Sequence, residues 1–405
     1  MRVLLVGSGG REHALAWRLS SSPTLSDLHA APGNPGIESL ATCHPVAADD
    51  GDGLLGLARS LAADLVVVGP EAPLVDGVAD ALRHAGVPVF GPSAGAARIE
   101  GSKLFSKAVM KAANVPTAAV LGEPRAPCVL KADGLAAGKG VVVCRTDGEL
   151  AAGLETARRF GEAVLVEELL EGPEVSMLTV CDGNDALLLA PARDFKRAFD
   201  GDQGPNTGGM GSFAPVPDVD DAFLEELLET CIRPTLAELA ARGTPFHGTL
   251  FAGLMLTDDG PRVLEFNCRF GDPETQSVLP LVEGDLLAAL AAAAQGSLAG
   301  TSLGQVGGSA VTVVIAAGAY PEAGDTGTPI EGIDEAEAAG AHVFHAGTAR
   351  SDGRLVTNGG RLLAVTATGA DLSDARARAY GASDKIRIPG ARRRDDIALA
   401  AAEGR

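Results

Sequence analysis

Short apolar runs alternate with amphipathic stretches along the first third of the chain. Residues 2–6 (RVLLV) form a valine- and leucine-rich run that breaks at Gly7-Ser8-Gly9-Gly10, and helical spacing follows over 12–19. Residues 64–69 (DLVVVG) carry the pattern of a buried strand, 74–85 that of a helix and 87–90 (VPVF) that of a further strand. Strands alternating with helices predict a parallel, Rossmann-like α/β layer. A helix over 102–113 then leads to Val115-Pro116-Thr117, a subdomain boundary. Next, the apolar runs 128–130 and 141–144 flank the decapeptide 131–140, KADGLAAGKG: strand, glycine-rich loop, strand. An alanine-rich helix is expected over 149–160, and 164–170 (VLVEELL) reads as a strand running into a connecting segment. Towards the end, 310–317, 342–345 and 362–366 read as strands and 372–380 as a helix, which together predict a small α+β domain. One long stretch, 193–215 (RDFKRAFDGDQGPNTGGMGSFAP), has neither period. It is too long for an idle connection, and its matched charges, amides and glycines favour an ordered substrate loop over disorder.

Length and composition narrow the class. A chain of 405 residues with 46% hydrophobic content exceeds a single core, so two to four subdomains are expected. Only 4% of residues are aromatic and 52 are glycine, which points to Ala/Val/Leu packing with many tight turns. A formal charge of −20 argues against nucleic acid or an anionic membrane as partner, because phosphate backbones would be repelled. A small anionic substrate then requires a local basic pocket. The six cysteines are far apart with no CxxC pair, as expected of free thiols in a reducing compartment rather than a zinc site. The opening MRVLLVGSGG reads as a strand entering a turn rather than a signal peptide, and no apolar run reaches membrane-spanning length. A soluble, cytoplasmic protein is expected.

Three constellations carry chemistry. In KADGLAAGKG, Gly134, Gly138 and Gly140 permit close backbone approach, while Lys131 and Lys139 supply positive charge. Phosphate is the simplest partner, and an ordinary hairpin with solvated lysines is the alternative. No GxxxxGK[ST] occurs, so this is not a Walker loop. In VLEFNCRFGDPET (263–275), strand alternation puts Glu265 and Asn267 on one face and Phe266 on the other. A carboxylate and an amide oxygen side by side are hard ligands for Mg²⁺, which keeps waters and nucleotide phosphates as its remaining ligands. Arg269, next on that face, offers a planar fork for a carboxylate or phosphate; a salt-bridged strand end is the alternative. The Gly7–Gly10 turn leaves helix N-terminal amides available to an anion, but Glu12 stands where a dinucleotide fingerprint needs its third glycine. Lys103 is either solvated or a phosphate contact, and Glu167 and Glu168, taken alone, read as a solvated strand end.

The segments GSGGREHA (7–14), APGNPG (31–36), VGPEAPLVDG (68–77), GPSAGAARIEGSK (91–103), KADGLAAGKG, GPNTGGMG (204–211), EFNCRFGDPET (265–275), FHAGT (344–348) and TNGGR (357–361) closely resemble the phosphoribosylamine–glycine ligases. These enzymes, also called glycinamide ribonucleotide synthetases, belong to the ATP-grasp superfamily. The motifs stand in the family's order and span nearly the whole chain. The resemblance implies an α/β and α+β multidomain architecture. A Rossmann-like preATP-grasp domain would cover 1–102, an ATP-grasp domain 103–300 with its lid over about 116–180, and a small α+β domain 301–405. It implies ligation of glycine to 5-phosphoribosylamine with ATP, through glycyl phosphate, in de novo purine synthesis, with Mg²⁺ or Mn²⁺ as cofactor. A monomer is expected. Carried over by motif, Lys103 and Lys131 contact ATP phosphates and 134–140 folds over them. Glu167, Glu168 and Leu170 line the adenine, Glu174 meets the ribose, and Glu265 and Asn267 hold the metal. Gly9, Gly10, Asp194, Asn206, Thr207, Gly208, Arg269 and Asp272 fall on the phosphoribosylamine and glycine side, with Lys131, Arg269 and Asp194 as catalytic candidates.

The chain departs from the family in places. Phe195 stands where the family has His, which excludes a catalytic histidine there. The segment between Val143 and Val164 is short, Pro173 precedes Glu174 where an acid is common, and Arg394-Asp395-Asp396-Ile397-Ala398 replaces RxDIG. Residues 252–255 (AGLM) lack the acid that many ATP-grasp enzymes carry on the preceding strand, so metal ligation rests on Glu265 and Asn267. Competing readings are an ATP-grasp ligase for another carboxylate or amine, a nucleotide-binding regulatory protein without turnover, and a nicotinamide oxidoreductase. His13 and His345 are read as structural.

Overall fold

A computed structural model describes residues 1–136 and 140–404 of the chain. The amino-terminal unit is a five-stranded parallel sheet in the order Thr42–Cys43, Asp27–Pro32, Arg2–Gly7, Leu65–Val68, Val89–Phe90. Val3, Leu4, Leu5 and Val6 are all fully buried, because helices cover both faces of the sheet. Each such side chain contributes roughly 1.5–3 kcal/mol relative to exposure. The single helix expected over 74–85 is two, Glu71–Val75 and Val78–His84. Gly77 separates them at φ 89°, a left-handed conformation that a helix interior cannot hold.

The central unit is an antiparallel sheet in the order Ala186–Leu188, Glu174–Asp182, His247–Thr257, Gly260–Asn267. Ahead of it in sequence lies a smaller antiparallel sheet of Val141–Cys144, Cys128–Ala132 and Val164–Glu168, covered by the Asp147–Arg158 helix. Its core is small: Cys128, Leu130, Cys144, Ala157 and Val166. The expected helix after the boundary runs over Lys103–Ala112, capped by Ser102, whose Oγ accepts from the Phe105 amide at 3.1 Å.

The carboxyl-terminal sheet has the order Arg193–Asp194, Gly211–Ala214, Ser309–Ala316, Arg361–Gly369, His342–His345. The stretch 193–215 is therefore ordered, and it supplies two strands of this sheet. Between them, Arg197–Phe199 and Gln203–Asn206 pair as a second hairpin. No helix among the described residues is long and apolar enough to cross a membrane. All six cysteines are free thiols, five of them buried.

Candidate active site

Strand alternation turns Lys131 towards the central sheet. Its ammonium, with the residue only 6% exposed, donates to the Leu264 carbonyl at 2.7 Å and pairs with Glu167 Oε2 at 2.7 Å. The other oxygen of Glu167 pairs with Lys107 Nζ at 2.6 Å, and Lys107 also donates to Thr117 Oγ1 and the Ala118 carbonyl. Burial lowers the Lys107 pKa, and Glu167 opposes that shift. Glu167 is thus no solvated strand end: it is 2% exposed, and a lone carboxylate there would be costly without the two lysines. Both of its oxygens are committed to lysines.

Lys103 lies one turn before Lys107 and donates to the Gly134 carbonyl at 2.7 Å, so it is tied to the glycine loop and not merely solvated. Gly134 has φ 110°, which explains the glycine. At Gly140 a Cβ would lie 2.8 Å from that of Ala136. Gly138 and Lys139 lie outside the described residues. Glu168 Oε1 accepts from the Ala119 amide at 2.7 Å, and Leu170 is half-buried on the segment that follows.

Opposite the lysines stands the Gly260–Asn267 strand. Glu265 and Asn267 share a face, with Asn267 Nδ2 3.5 Å from Glu265 Oε1, and Phe266 is buried on the other. Burial opposes ionisation of Glu265, but Lys196, Lys131 and Lys103 outweigh it and hold the carboxyl below its ordinary range. An ionised carboxylate beside an amide suits a hard divalent ion. The Asn267 amide oxygen accepts a long contact of 3.4 Å from Arg269 Nη2, weak enough to leave that oxygen for a metal. Among the described residues no three His, Cys, Asp or Glu side chains gather as a metal site. Two protein ligands therefore fit an ion completed by water and nucleotide phosphate.

The Arg269 fork is not open to substrate as expected. Its Nε meets Glu71 at 3.2 Å and its Nη2 meets Glu100 at 3.1 Å, the salt-bridged arrangement that was the alternative. Although burial pulls Glu71 up, Arg269 and Arg11 hold it at about 2. The amino-terminal turn is also engaged. Gly9 N donates to Glu12 Oε2 at 2.6 Å, so the carboxylate of Glu12 fills the place an anion would take. A Cβ at Gly7, Gly9 or Gly69 would strike that same side chain.

Beside Glu265 lies a charged cluster from the 193–211 stretch. Lys196 pairs closely with Glu174 and lies 4.0 Å from Asp194 Oδ1. Burial pushes the Asp194 carboxyl up to about 7 against the pull of Lys196, and Glu274 and Glu174 add to the rise. Thr207 donates through both N and Oγ1 to the Lys196 carbonyl at 2.8 Å, and Asn206 pairs with Arg197 across the hairpin.

A cavity of about 450 Å³ opens between the amino-terminal glycine turn and the carboxyl-terminal strands. Ser8, Gly9, Asn34, Asp272, Thr348 and Arg361 are among its lining residues. Arg361 pairs with Asp272 at 2.8 Å and also donates to the Gly208 carbonyl, which brings Asp272, Gly208 and Gly9 to one place. A Cβ on Gly10 would lie 2.8 Å from Gln276 Nε2. Sequence reasoning missed Lys107, Asn34, Thr348 and Arg361. Lys107 was signalled by its one-turn spacing from Lys103. The others sit in the APGNPG, FHAGT and TNGGR segments, where location was legible and role was not.

A glycine-loop hairpin that bears Lys131, set against a lysine-bearing helix and an antiparallel sheet that carries an acid and an amide, behind a parallel α/β unit, defines the ATP-grasp class. Models of phosphoribosylglycinamide synthetase match in three parts: the N domain at residues 1–100, the ATP-grasp (A) domain at 101–275 and the C domain at 310–400. The chain belongs to the phosphoribosylglycinamide synthetase family. It is 52% identical over 421 residues to the phosphoribosylamine–glycine ligase of Streptomyces coelicolor, covering 99% of this chain and 100% of that one. The crystal structure of phosphoribosylamine–glycine ligase from Thermotoga maritima superposes with a TM-score of 0.84 at 35% identity, covering 98% of this chain and 100% of the other. The biotin carboxylase domain of Hydrogenobacter thermophilus 2-oxoglutarate carboxylase superposes at 0.71 with 19% identity, over 96% and 91% of the two chains. That likeness is one of fold.

Proposed function

We propose that this chain joins glycine to 5-phosphoribosylamine at the expense of ATP, giving glycinamide ribonucleotide, ADP and phosphate, a step of purine synthesis. The nucleotide half is carried by one observation, the buried Lys131–Glu167–Lys107 cluster under a glycine hairpin and facing Glu265 and Asn267. The identity of the two other substrates rests on the full-length likeness to phosphoribosylamine–glycine ligases.

Lys103 and Lys131 neutralise the triphosphate, Lys107 holds Glu167 in place beside Lys131, and the loop that carries Gly134 and Gly140 lies over the triphosphate. Glu168 and Leu170 border the adenine, with Glu174 towards the ribose. Mg²⁺ or Mn²⁺ bound by Glu265 and Asn267 would neutralise phosphate charge. The phosphoribosyl group fits the cavity beside Gly9, Gly10, Asn34, Asp272 and Arg361, closed by Asn206-Thr207-Gly208. Arg269, fixed by Glu71 and Glu100, holds the strand end beside Asn267 and frames the substrate side of the site. These assignments follow an amino-terminal unit over 1–102, a central unit over 103–300 and a carboxyl-terminal unit over 301–405, in a monomeric cytoplasmic protein.

Such a site needs no protein nucleophile. A glycine carboxylate oxygen attacks the γ-phosphorus and the bond to ADP breaks, which converts a poor leaving group into phosphate. The amine then attacks the glycyl carbonyl, the C–O bond breaks, phosphate departs and the nitrogen loses a proton. Positioning and charge neutralisation supply the acceleration. With ¹⁸O in the glycine carboxylate, one ¹⁸O per turnover should appear in the released phosphate. Unlabelled phosphate would exclude the acyl phosphate.

A further inference from the structure

The carboxyl-terminal segment 392–398 runs across the outer face of the 193–211 stretch. Arg394 is 1% exposed, the largest side chain among those fully buried. Its fork closes on Asp396, Nε to Oδ1 at 2.7 Å and Nη2 to Oδ2 at 2.6 Å. Its remaining nitrogen reaches the stretch itself, with Nη1 2.8 Å from Asp202 Oδ1 and 3.1 Å from the Arg197 carbonyl. The guanidinium carbon lies 5.0 Å from the centre of the Phe195 ring. Asp396 in turn accepts from the Gly201 amide at 2.8 Å, and the Asp395 amide donates to Asp200 at 2.8 Å. The segment is anchored behind by Tyr380, whose hydroxyl donates to the Arg394 carbonyl and accepts from the Ile397 amide.

The gripped residues lead straight into the candidate site. Phe195 stands between Asp194 and Lys196, and its backbone bonds to Gly211 and Met210 close the stretch into a hairpin. The Lys196 carbonyl takes the Thr207 amide, so a shift of the outer turn is passed to Lys196, Thr207 and Gly208 together. The Phe195 ring under the Arg394 guanidinium adds an attractive contact to this grip.

We propose that Arg394 is a positioning residue, which holds the 193–211 hairpin so that Asp194, Lys196 and Thr207–Gly208 face the acceptor substrate. The proposal rests on the ligase reading above. Arg394 touches no substrate and acts through Phe195, Asp202 and the Arg197 carbonyl. Lysine cannot replace it, because one ammonium cannot bridge two carboxylates and a carbonyl in this fork geometry.

The test compares wild type with Arg394→Gln, Arg394→Lys and Asp202→Asn in steady-state kinetics and in amide hydrogen exchange. The expected result for both Arg394 variants is a kcat at least tenfold lower, a raised KM for phosphoribosylamine and a KM for ATP within twofold of wild type. Amides over 199–211 should exchange at least tenfold faster while those of the Arg2–Gly7 strand are unchanged. Asp202 is exposed and sits at φ 54°, a left-handed position that asparagine tolerates, so Asp202→Asn removes the charge alone, keeps its fold and should show the same split at several-fold size, which preserves the test if Arg394→Gln does not fold. Wild-type kinetics in the variants, or an equal rise in the KM for ATP, would overturn the proposal. If wild type itself shows no turnover with glycine and phosphoribosylamine, the ligase reading falls, and unchanged exchange over 199–211 would separately sink the clamp.

Discussion

Glu265 shows how one side chain can be read from sequence and completed only by structure. Alternation along a strand places it beside Asn267 with no tertiary information, since that relation spans two residues. What holds its proton off is three lysines drawn from positions 103, 131 and 196, far apart in the chain. Lys131 and Gly134 were legible for the same local reason. The double pairing of Glu167 was not, because a sequence gives no sign that two lysines from other segments meet one carboxylate. The ion pairs of Arg269 were hidden for the same reason, since Glu71 and Glu100 lie 198 and 169 positions away in sequence. Glu265→Ala and Asn267→Ala should each lower turnover by a hundredfold or more, of the order of ~3 kcal/mol, while circular dichroism and the unfolding midpoint stay near wild type. Variants with wild-type activity at saturating ATP and low Mg²⁺ would remove both residues from the metal.

At the scale of elements, those set by local pattern were anticipated and those set by distant pairing were not. The hydrophobic runs at 2–6, 64–69, 128–130 and 141–144 formed strands within a residue or two of expectation. The stretch 193–215 carries no period because its strands are short. Its register is imposed by Ser309–Ala316, with Phe213 opposite Val311, about a hundred residues on. Local pattern also exposes a defect in one helix end. The Gly51–Ser60 helix closes with the Ala63 amide on the Ala58 carbonyl, which places Ala62 at φ 48°. That left-handed position favours glycine, and Ala62 is exposed, so its methyl contributes little packing. Ala62→Gly should stabilise the fold by about 0.5–1 kcal/mol, read as a higher urea midpoint. A lower midpoint would show that chain entropy outweighs the strain.

Across the whole molecule, the first helix and the carboxyl-terminal sheet meet at two buried histidines. The His345 amide donates to His13 Nδ1 at 2.8 Å, and the rings stand 5.5 Å apart. Burial, with the neighbouring His345 and His342, lowers the pKa of His13 to about 3, and burial with Arg350 lowers that of His345 to about 4. Both are therefore neutral when folded and titrate near 6.5 when unfolded. Their stabilisation is complete above pH 6.5 and is lost as pH falls towards their folded values, by about 1.4 kcal/mol per pH unit for each histidine. His13→Asn, which keeps an acceptor, should halve the steepness that the pair contributes to urea midpoints between pH 6 and pH 4. An unchanged slope would place the acid sensitivity elsewhere. This contact closes the amino-terminal glycine turn against the cavity that Arg361 and Thr348 line from the other side. That cavity is thus lined at once by residues from the amino-terminal, central and carboxyl-terminal parts of the chain, among them Ser8, Asp272 and Thr348. The most direct measurement is ADP release coupled to a spectrophotometric readout, with Mg-ATP, glycine and freshly prepared phosphoribosylamine, omitting each in turn. Sustained release only when all three are present is the predicted result. Release that is indifferent to phosphoribosylamine, or that is supported by another amino acid and not by glycine, would contradict it.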